Sequence, residues 1–600
     1  MITRVRVVRF KRFADQEFDL AGNSILLAGP NNSGKTTLLH AIAAWNLALK
    51  RWLAERGDSG GKRRISLLLD EFTALPLREM NLLWLNRHTA RKVPEQRQPR
   101  SAPIYIEVAV AQGRHVENSL TIEFMYANEK MIYVRPVRGP DEPDPIDRLP
   151  EFAKSLNVVH VPAFSGIGTQ EPRHAPGIQH KLVGEGKPGE IVRNLLLEIW
   201  EASDCKATSQ PWIDLRDDIE RLFQCELLPP EFSDARPYVV CEYRPKANPA
   251  DKSARPPKLD IANAGSGFHQ VLLLLAFFHA RRASVLLLDE PDAHLHFILQ
   301  REIFDHLRLV AHRRSCKLIV ATHAEVLLGG EDPEHIISFI GQSPRHLLRP
   351  EDKQRVQEAL RRLTALDLLQ ADHVRAVLYV EDESDHKLLH SWANVLGHRA
   401  GDFLRFPYVI AMHGKGNLDE AKKHFQCLRL AQPEIKGMLI VDRDAGERRG
   451  EMEGPEGLIM MRWGRYEIEN YLLLPHLIKR YLKDRHGALF AQADEQLVDE
   501  EFAANFPSGI DFLKDIPALR DLKGSDFLVH LLSKTQYPLG KRDLYMLAEL
   551  ADASDVHQDV VGVLDGIVQI LPGAVPAIEA NAAPIDTNGV DEQGGNSIDN

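Results

Sequence analysis

The residues best suited to do chemistry fall into two groups. The first opens with Gly29-Pro30-Asn31-Asn32-Ser33-Gly34-Lys35-Thr36-Thr37. Gly29 and Gly34 let the backbone wrap closely around phosphate oxygens, with amides pointing inward and a helix N-terminus behind them. Lys35 supplies a mobile point charge for the β- and γ-phosphates, and the Thr36 hydroxyl suits Mg2+. Asn31, Asn32, Ser33 and Thr37 complete the expected nucleotide contacts. Four apolar residues, Val285-Leu286-Leu287-Leu288, then lead to Asp289 and Glu290. Acids that end a buried strand lie at the sheet edge where ligands bind. Asp289 is expected to hold the magnesium shell and Glu290 to polarise a water. A third apolar stretch, Val320-Ala321-Thr322, ends at His323, 33 residues after Glu290. A histidine there can hydrogen-bond a γ-phosphate.

The second group is acidic. Leu378-Tyr379-Val380 leads to Glu381, with Asp385 four residues on at a helix start. Leu439-Ile440-Val441 leads to Asp442-Arg443-Asp444. Asp442 and Asp444, two apart, face one side of an extended chain. Carboxylates at this density repel one another, and a hard cation resolves that repulsion. Paired Mg2+ ions can activate a water and stabilise a leaving oxygen in phosphodiester cleavage.

These residues need parallel strands with helices between them. Short strands are expected over 5–10, 16–20 and 24–28, the last feeding the glycine loop and a helix from Lys35 to about Leu53. The segments 104–110, 119–126 and 131–135 read as an antiparallel meander, and 158–162 as a further strand. A helix is expected from the Gly265-Ser266-Gly267 turn to about Arg282, and buried parallel strands over 285–288 and 317–321. A second βα pattern starts near Ala376. Its strands are 377–380, 408–411 and 437–441, with a helix over 384–396 and a further strand over 458–462. Residues 466–549 are mostly helical, and 573–600 have the composition of a disordered tail.

The first group resembles the ABC-type ATPase heads of SMC-like proteins. That resemblance implies ATP and Mg2+ as cofactors and hydrolysis between paired heads. A signature segment from one head then closes on the nucleotide of the other. Asn263-Ala264-Gly265-Ser266-Gly267-Phe268-His269-Gln270 is the matching segment, with Ser266 and Gly267 as contacts, although it departs from the usual Leu-Ser-Gly-Gly-Gln. Asp292 matches the loop that links opposed sites, and His294 and His296 read as dimer contacts. No sustained heptads occur between 37 and 260, which removes the long-armed SMC proteins. The adenine-side glutamine has no clear counterpart in Asp70 to Arg87.

The second group resembles the Toprim domain, in which a lone glutamate on one strand meets an Asp-x-Asp on a later one. The glycine turn His413-Gly414-Lys415-Gly416-Asn417 lies between them. Tyr466-Glu467-Ile468-Glu469-Asn470-Tyr471 resembles a further acidic motif of the nuclease branch, which implies Glu469, and secondarily Glu467, as ligands of a second metal. The same branch uses a lysine, for which Lys541 is the first choice and Lys534 the second. Mn2+ is an alternative to Mg2+ there.

The two parts in one chain resemble the OLD (overcoming lysogenization defect) family of ATP-dependent nucleases. Gabija and PARIS phage-defence proteins use related parts. The implied fold is α/β: an ABC-type, SMC-like P-loop head, then a Toprim-like domain and C-terminal helices. The expected boundaries are 1–345 for the head (with a dimerisation insertion at about 165–235), 346–372 for a linker, 373–475 for the Toprim-like domain and 476–560 for the helical region. The resemblance implies a homodimer or a higher even-numbered assembly, DNA as substrate, and a role in defence. Two readings stay open beside it: an ATP-driven scaffold that holds and releases a protein effector, and a DNA-repair ATPase with a non-cleaving second domain.

Composition bounds these readings. In 600 residues, 44% are hydrophobic and 26% charged, as in multidomain globular proteins. The net charge of −11 excludes nucleic-acid binding by the whole surface and leaves local patches. One candidate is Arg87, His88, Arg91, Lys92, Arg97 and Arg100, either a phosphate contact or a solvated loop; Lys62, Arg63 and Arg64 read the same way. The five cysteines show no CxxC spacing, which argues against zinc ribbons. Val271 to Phe278, the longest apolar run, is too short to cross a bilayer, and no leader-like segment opens the chain. A cytoplasmic protein without membrane contact is expected.

Overall fold

The computed structural model describes residues 1–91, 100–112, 116–164, 166–246, 256–341, 343–412, 418–443, 454–486, 492–514, 517–520 and 522–572. The chain divides into two compact units, with the cut between Leu366 and Asp367.

The first unit holds two six-stranded sheets. One is antiparallel throughout, in the order Phe13–Asp19, Ile2–Phe10, Ile104–Gln112, Val116–Asn128, Met131–Val137, Ile65–Leu68. The other runs Val158–Val161, Val285–Asp289, Lys317–Thr322, Ser24–Ala28, Ile336–Ser338, Arg345–His346, parallel except for its last pair. The strands Ser24–Ala28, Val285–Asp289 and Lys317–Thr322 are buried at every position, as parallel strands covered on both faces must be.

The helix Lys35–Arg56 packs against strands of both sheets and joins them in one core. Leu38, Leu39, Ile42, Trp45, Leu49 and Trp52 are all buried, so the helix is apolar on nearly every side. Trp45 anchors it by donating from Nε1 to Leu120 O at 2.9 Å. A polar group buried with such a large ring needs a partner of this kind.

The second unit is built on a four-stranded parallel sheet in the order Val409–Ala411, Ala376–Val380, Lys436–Val441, Leu458–Arg462. The helix Glu383–Val395 follows the first of these in the chain. Pro475–His486, Gln492–Asn505 and Gly524–Ser533 form a helical layer. Gln558–Ile570, which runs past the expected limit at 560, packs on the strand Lys436–Val441. Sheet and helices share one hydrophobic core, so 373–475 and 476–560 are layers of a single unit.

Residues 346–372, expected as a linker, carry two helices, Pro350–Arg362 and Ala365–Val374. Pro350 at the first helical position, Glu351 and Asp352 in the first turn and Arg361 and Arg362 in the last turn give the former its helical bias. The tail 573–600, the turn 413–417 and Asp444 lie outside the described residues, as do Lys92 and Arg97 of the basic run. Among the described residues, no helix is long and apolar enough to cross a membrane.

Candidate functional site

The glycine loop begins where Ser24–Ala28 ends, at the carboxyl edge of the parallel sheet. Gly34 has φ 111 and immediately precedes the helix Lys35–Arg56. That left-handed conformation favours glycine, and a Cβ there would also stand 2.8 Å from Arg12 Cδ. Lys35 lies buried in the loop, with Nζ donating to Gly29 O at 2.7 Å and Pro30 O at 2.8 Å. Burial lowers its pKa, while Glu290, Asp289 and Asp292 oppose the shift. Asn31 and Asn32 are exposed on the outer turn of the loop.

The strand Val285–Asp289 brings Asp289 and Glu290 to this loop, and Lys317–Thr322 brings His323. Thr36 Oγ1 donates to Asp289 Oδ1 at 3.0 Å, across 253 residues of sequence. Asp289 is buried, which raises its pKa to about 6. Glu290 turns out of the strand with φ 49, its N–H still donating to Ala321 O at 2.9 Å. Its Oε1 lies 3.7 Å from His323 Nδ1. The pair is mutually reinforcing: His323 holds Glu290 below the usual range, and Glu290 raises His323. Asp292 is buried beside them.

Ser266 begins the helix Ser266–Ala280 and is exposed, with Gly267 half-buried behind it. His269 bonds Ile261 O at 2.7 Å and Gln270 Nε2 donates to Pro291 O at 3.3 Å, so this helix start is tied to the chain just after Glu290.

Two basic residues that no sequence motif marks, Lys11 and Arg12, also reach the site. Arg12 NH1 donates to Asn32 O, and Lys11 Nζ lies 2.9 Å from His40 Nδ1. Burial lowers the Lys11 pKa to about 8, with Asp289 opposing the shift. Both occupy the two-residue turn closed by the Phe10–Phe13 pair. A Lys-Arg pair in a hairpin carries no signal of which loop it will face.

In the second unit, Glu381 and Asp442 follow adjacent parallel strands. The Asp442 N–H donates to Glu381 Oε1 at 2.8 Å. Asp385 is buried, receives the Asp382 N–H at 3.1 Å, and is raised to about 7 by burial. Asp442 is raised well above the usual carboxylate range by burial and then by Glu381, Asp385, Glu469 and Glu467.

Glu469 is 1% exposed and neither carboxylate oxygen has a hydrogen-bond partner; burial and Glu467 raise it to about 8. Lys541 faces this group, with Nζ 3.4 Å from Glu469 Oε1, 3.7 Å from Glu467 Oε2 and 3.8 Å from Asp382 Oδ2. Against the lowering effect of burial, Glu469, Glu467, Asp442 and Asp385 together hold its pKa high. Lys534 is instead paired with Glu501 at 2.6 Å.

Asn470, also unmarked in the sequence as structural, fixes the acidic segment. Its Nδ2 donates to Leu519 O and Leu522 O, each at 2.8 Å, and its Oδ1 accepts the Gly524 N–H at 3.1 Å. Among the described residues, no three His, Cys, Asp or Glu side chains close on a single metal position.

Comparison with known families bears on the first unit. A model described as "AAA domain, putative AbiEii toxin, Type IV TA system" matches residues 246–329, and an "AAA domain" model matches residues 4–49. These segments carry Asp289 and Glu290 and the glycine loop respectively. The first unit is a P-loop ATPase domain. No curated protein matches the chain.

Among solved structures, the SMC head domain from Thermotoga maritima aligns at 14% identity and a TM-score of 0.30, over 56% of this chain and 94% of that one. An Smc head bound to the C-terminal domain of ScpA, derived from Pyrococcus furiosus, aligns at 13% identity and a TM-score of 0.32, over 60% of this chain and 99% of that one.

Proposed function

We propose that the chain is an ATP-regulated, Mg2+-dependent DNA endonuclease or nickase of the OLD type, acting in anti-phage defence. The observation that carries the nuclease reading is the acidic cluster of the second unit. Glu381 and Asp442 come from adjacent strand ends and Glu469 from the following segment, and Lys541 is the cation that faces Glu467 and Glu469. The raised pKa values of Asp385, Asp442 and Glu469, and the absence of any hydrogen bond to the Glu469 oxygens, are the donor chemistry that a hard cation satisfies. The proposed ligands are Glu381, Asp385, Asp442 and Glu469, with Asp444 from beyond the described residues; the four described carboxylates do not themselves close on one metal position. Bound Mg2+ or Mn2+ would supply an activated water and neutralise charge on a phosphodiester. Lys541 would hold a proton or a phosphate oxygen at the rim.

In the first unit, the loop amides, Lys35 and Thr37 would bind the phosphates, and Thr36 and Asp289 would hold Mg2+. Glu290 would polarise the attacking water and accept its proton, with His323 3.7 Å away to orient it. Ser266 is exposed, with Gly267 half-buried behind it, where a second copy of the chain can present this helix start to the nucleotide. ATP then sets when the second unit acts, since strand cleavage itself consumes no nucleotide.

The test is metal-dependent cleavage of DNA with and without ATP. Cleavage that needs Mg2+ or Mn2+ and changes with ATP supports the reading. No cleavage, with a stable protein partner recovered instead, replaces it with the effector-holding scaffold.

A further inference from the structure

A cavity of about 260 Å³ lies in the first unit, against the helix Lys35–Arg56. Ala43, Asn46, Leu47 and Lys50 line it from that helix, a spacing that places all four on one face. Val183 and Phe277 add apolar wall from other elements. The volume suits a molecule of roughly ten non-hydrogen atoms, given about 30 Å³ for each water it would replace.

Two polar atoms of the lining residues, Asn46 Oδ1 and His160 Nε2, are buried without a hydrogen-bond partner, and Lys50 brings a charge to the mouth. Asn46 is 7% exposed, and its Nδ2 donates to Val158 O at 3.1 Å, but its Oδ1 accepts no hydrogen bond. A buried acceptor left this way is uncommon in a folded protein. Lys50, one turn further along, stands exposed at the mouth and donates to the neutral Asn157 Oδ1 at 2.8 Å. The cavity's other strong cation, Arg281, is already engaged by Glu198 and by Gln179 Oε1. The free charge at the mouth therefore belongs to Lys50.

We propose that this cavity binds a small organic anion. Its acid group pairs with Lys50, and a hydroxyl or amino group on its body donates to Asn46 Oδ1. The two anchors lie four residues apart on the helix, about 6 Å of rise, which sets the distance between acid and donor. Ala43, Leu47, Val183 and Phe277 enclose the carbon body. The acid is a carboxylate or a phosphate monoester, since either satisfies an ammonium. The same helix carries Lys35 and Thr36 at its start, so an occupant of the cavity rests on the element that holds the nucleotide loop.

Calorimetric titration of the full chain with L-malate and with ribose 5-phosphate, as hydroxy-carboxylate and hydroxy-phosphate probes, tests this. One of the two is expected to bind with one-to-one stoichiometry, which also identifies the acid. Lys50→Met should weaken it about tenfold or more, the worth of a charge-assisted hydrogen bond. Leu47→Trp, which fills the cavity, should abolish it. Lys50 is exposed, so its variant tests the site without disturbing the core. Failure of both probes to bind overturns the proposal, as does binding that either variant leaves unchanged.

Discussion

Thr36 Oγ1 and Asp289 Oδ1 stand 3.0 Å apart, although 253 residues separate them in the chain. The contact exists because Ser24–Ala28 and Val285–Asp289 flank Lys317–Thr322 in one parallel sheet, so their carboxyl ends open on one edge. The nucleotide site is therefore set by strand register, and its residues can be tested one at a time. Lys35→Ala removes the buried cation from the loop. ATP affinity should fall roughly 10- to 100-fold, measured by equilibrium binding.

Glu290→Gln keeps the shape of the side chain but removes the base. ATP binding should persist while turnover falls by about 10² to 10⁴. The same change removes the negative partner that raises the His323 pKa, so the His323 NMR titration should move to lower pH. Unchanged turnover would remove Glu290 from its assigned role.

The two candidate lysines separate cleanly. Lys541 lies within 4 Å of Asp382, Glu467 and Glu469, whereas Lys534 is spent on Glu501. Lys541→Met should lower metal-dependent DNA cleavage by about tenfold or more, while Lys534→Met should leave it near wild type. Equal loss in both variants would point to folding and not to position.

Asn470 donates to the Leu519 and Leu522 carbonyls and accepts the Gly524 N–H. Asn470→Ala leaves three polar groups without this bond. Unfolding of the second unit should be easier by roughly 2–4 kcal/mol, read from urea denaturation. A cost near zero would mean that solvent or a shifted backbone replaces the side chain.

Burial depresses His279 to about 4, and Arg314 and the surrounding core keep it neutral in the fold. The unfolded chain takes up this proton near pH 6.5, before the folded chain does. The stability contributed by His279 is therefore intact above about pH 6.5 and is lost as the pH falls toward 4, by about 2 kcal/mol at pH 5. His279→Asn retains an acceptor for Arg314 but cannot titrate, so its stability should decline less steeply between pH 7 and 5.

Much of both sites was legible in the sequence because apolar runs mark buried strands, and an acid directly after such a run marks a strand end. Glu290, Glu381 and Asp442 each stand at the end of such a strand, and His323 follows another. Strand pairing at long range was not legible: Ile2–Phe10 pairs with Ile104–Gln112, and periodicity carries no partner information. Lys11 and Arg12 were missed for the same reason, since their roles depend on where a hairpin turn lands. The helices in 346–372 were overlooked because their apolar face is narrow, with Val356 and Ala359 the buried residues of the first.

The central claim is that Asp442 belongs to a cleaving site. Nicking of supercoiled plasmid DNA in Mg2+ by the wild-type chain and by Asp442→Ala tests it most directly. The account predicts nicked product from the wild type and little or none from Asp442→Ala, with ATP turnover the same in both. Equal nicking by the two proteins would contradict it.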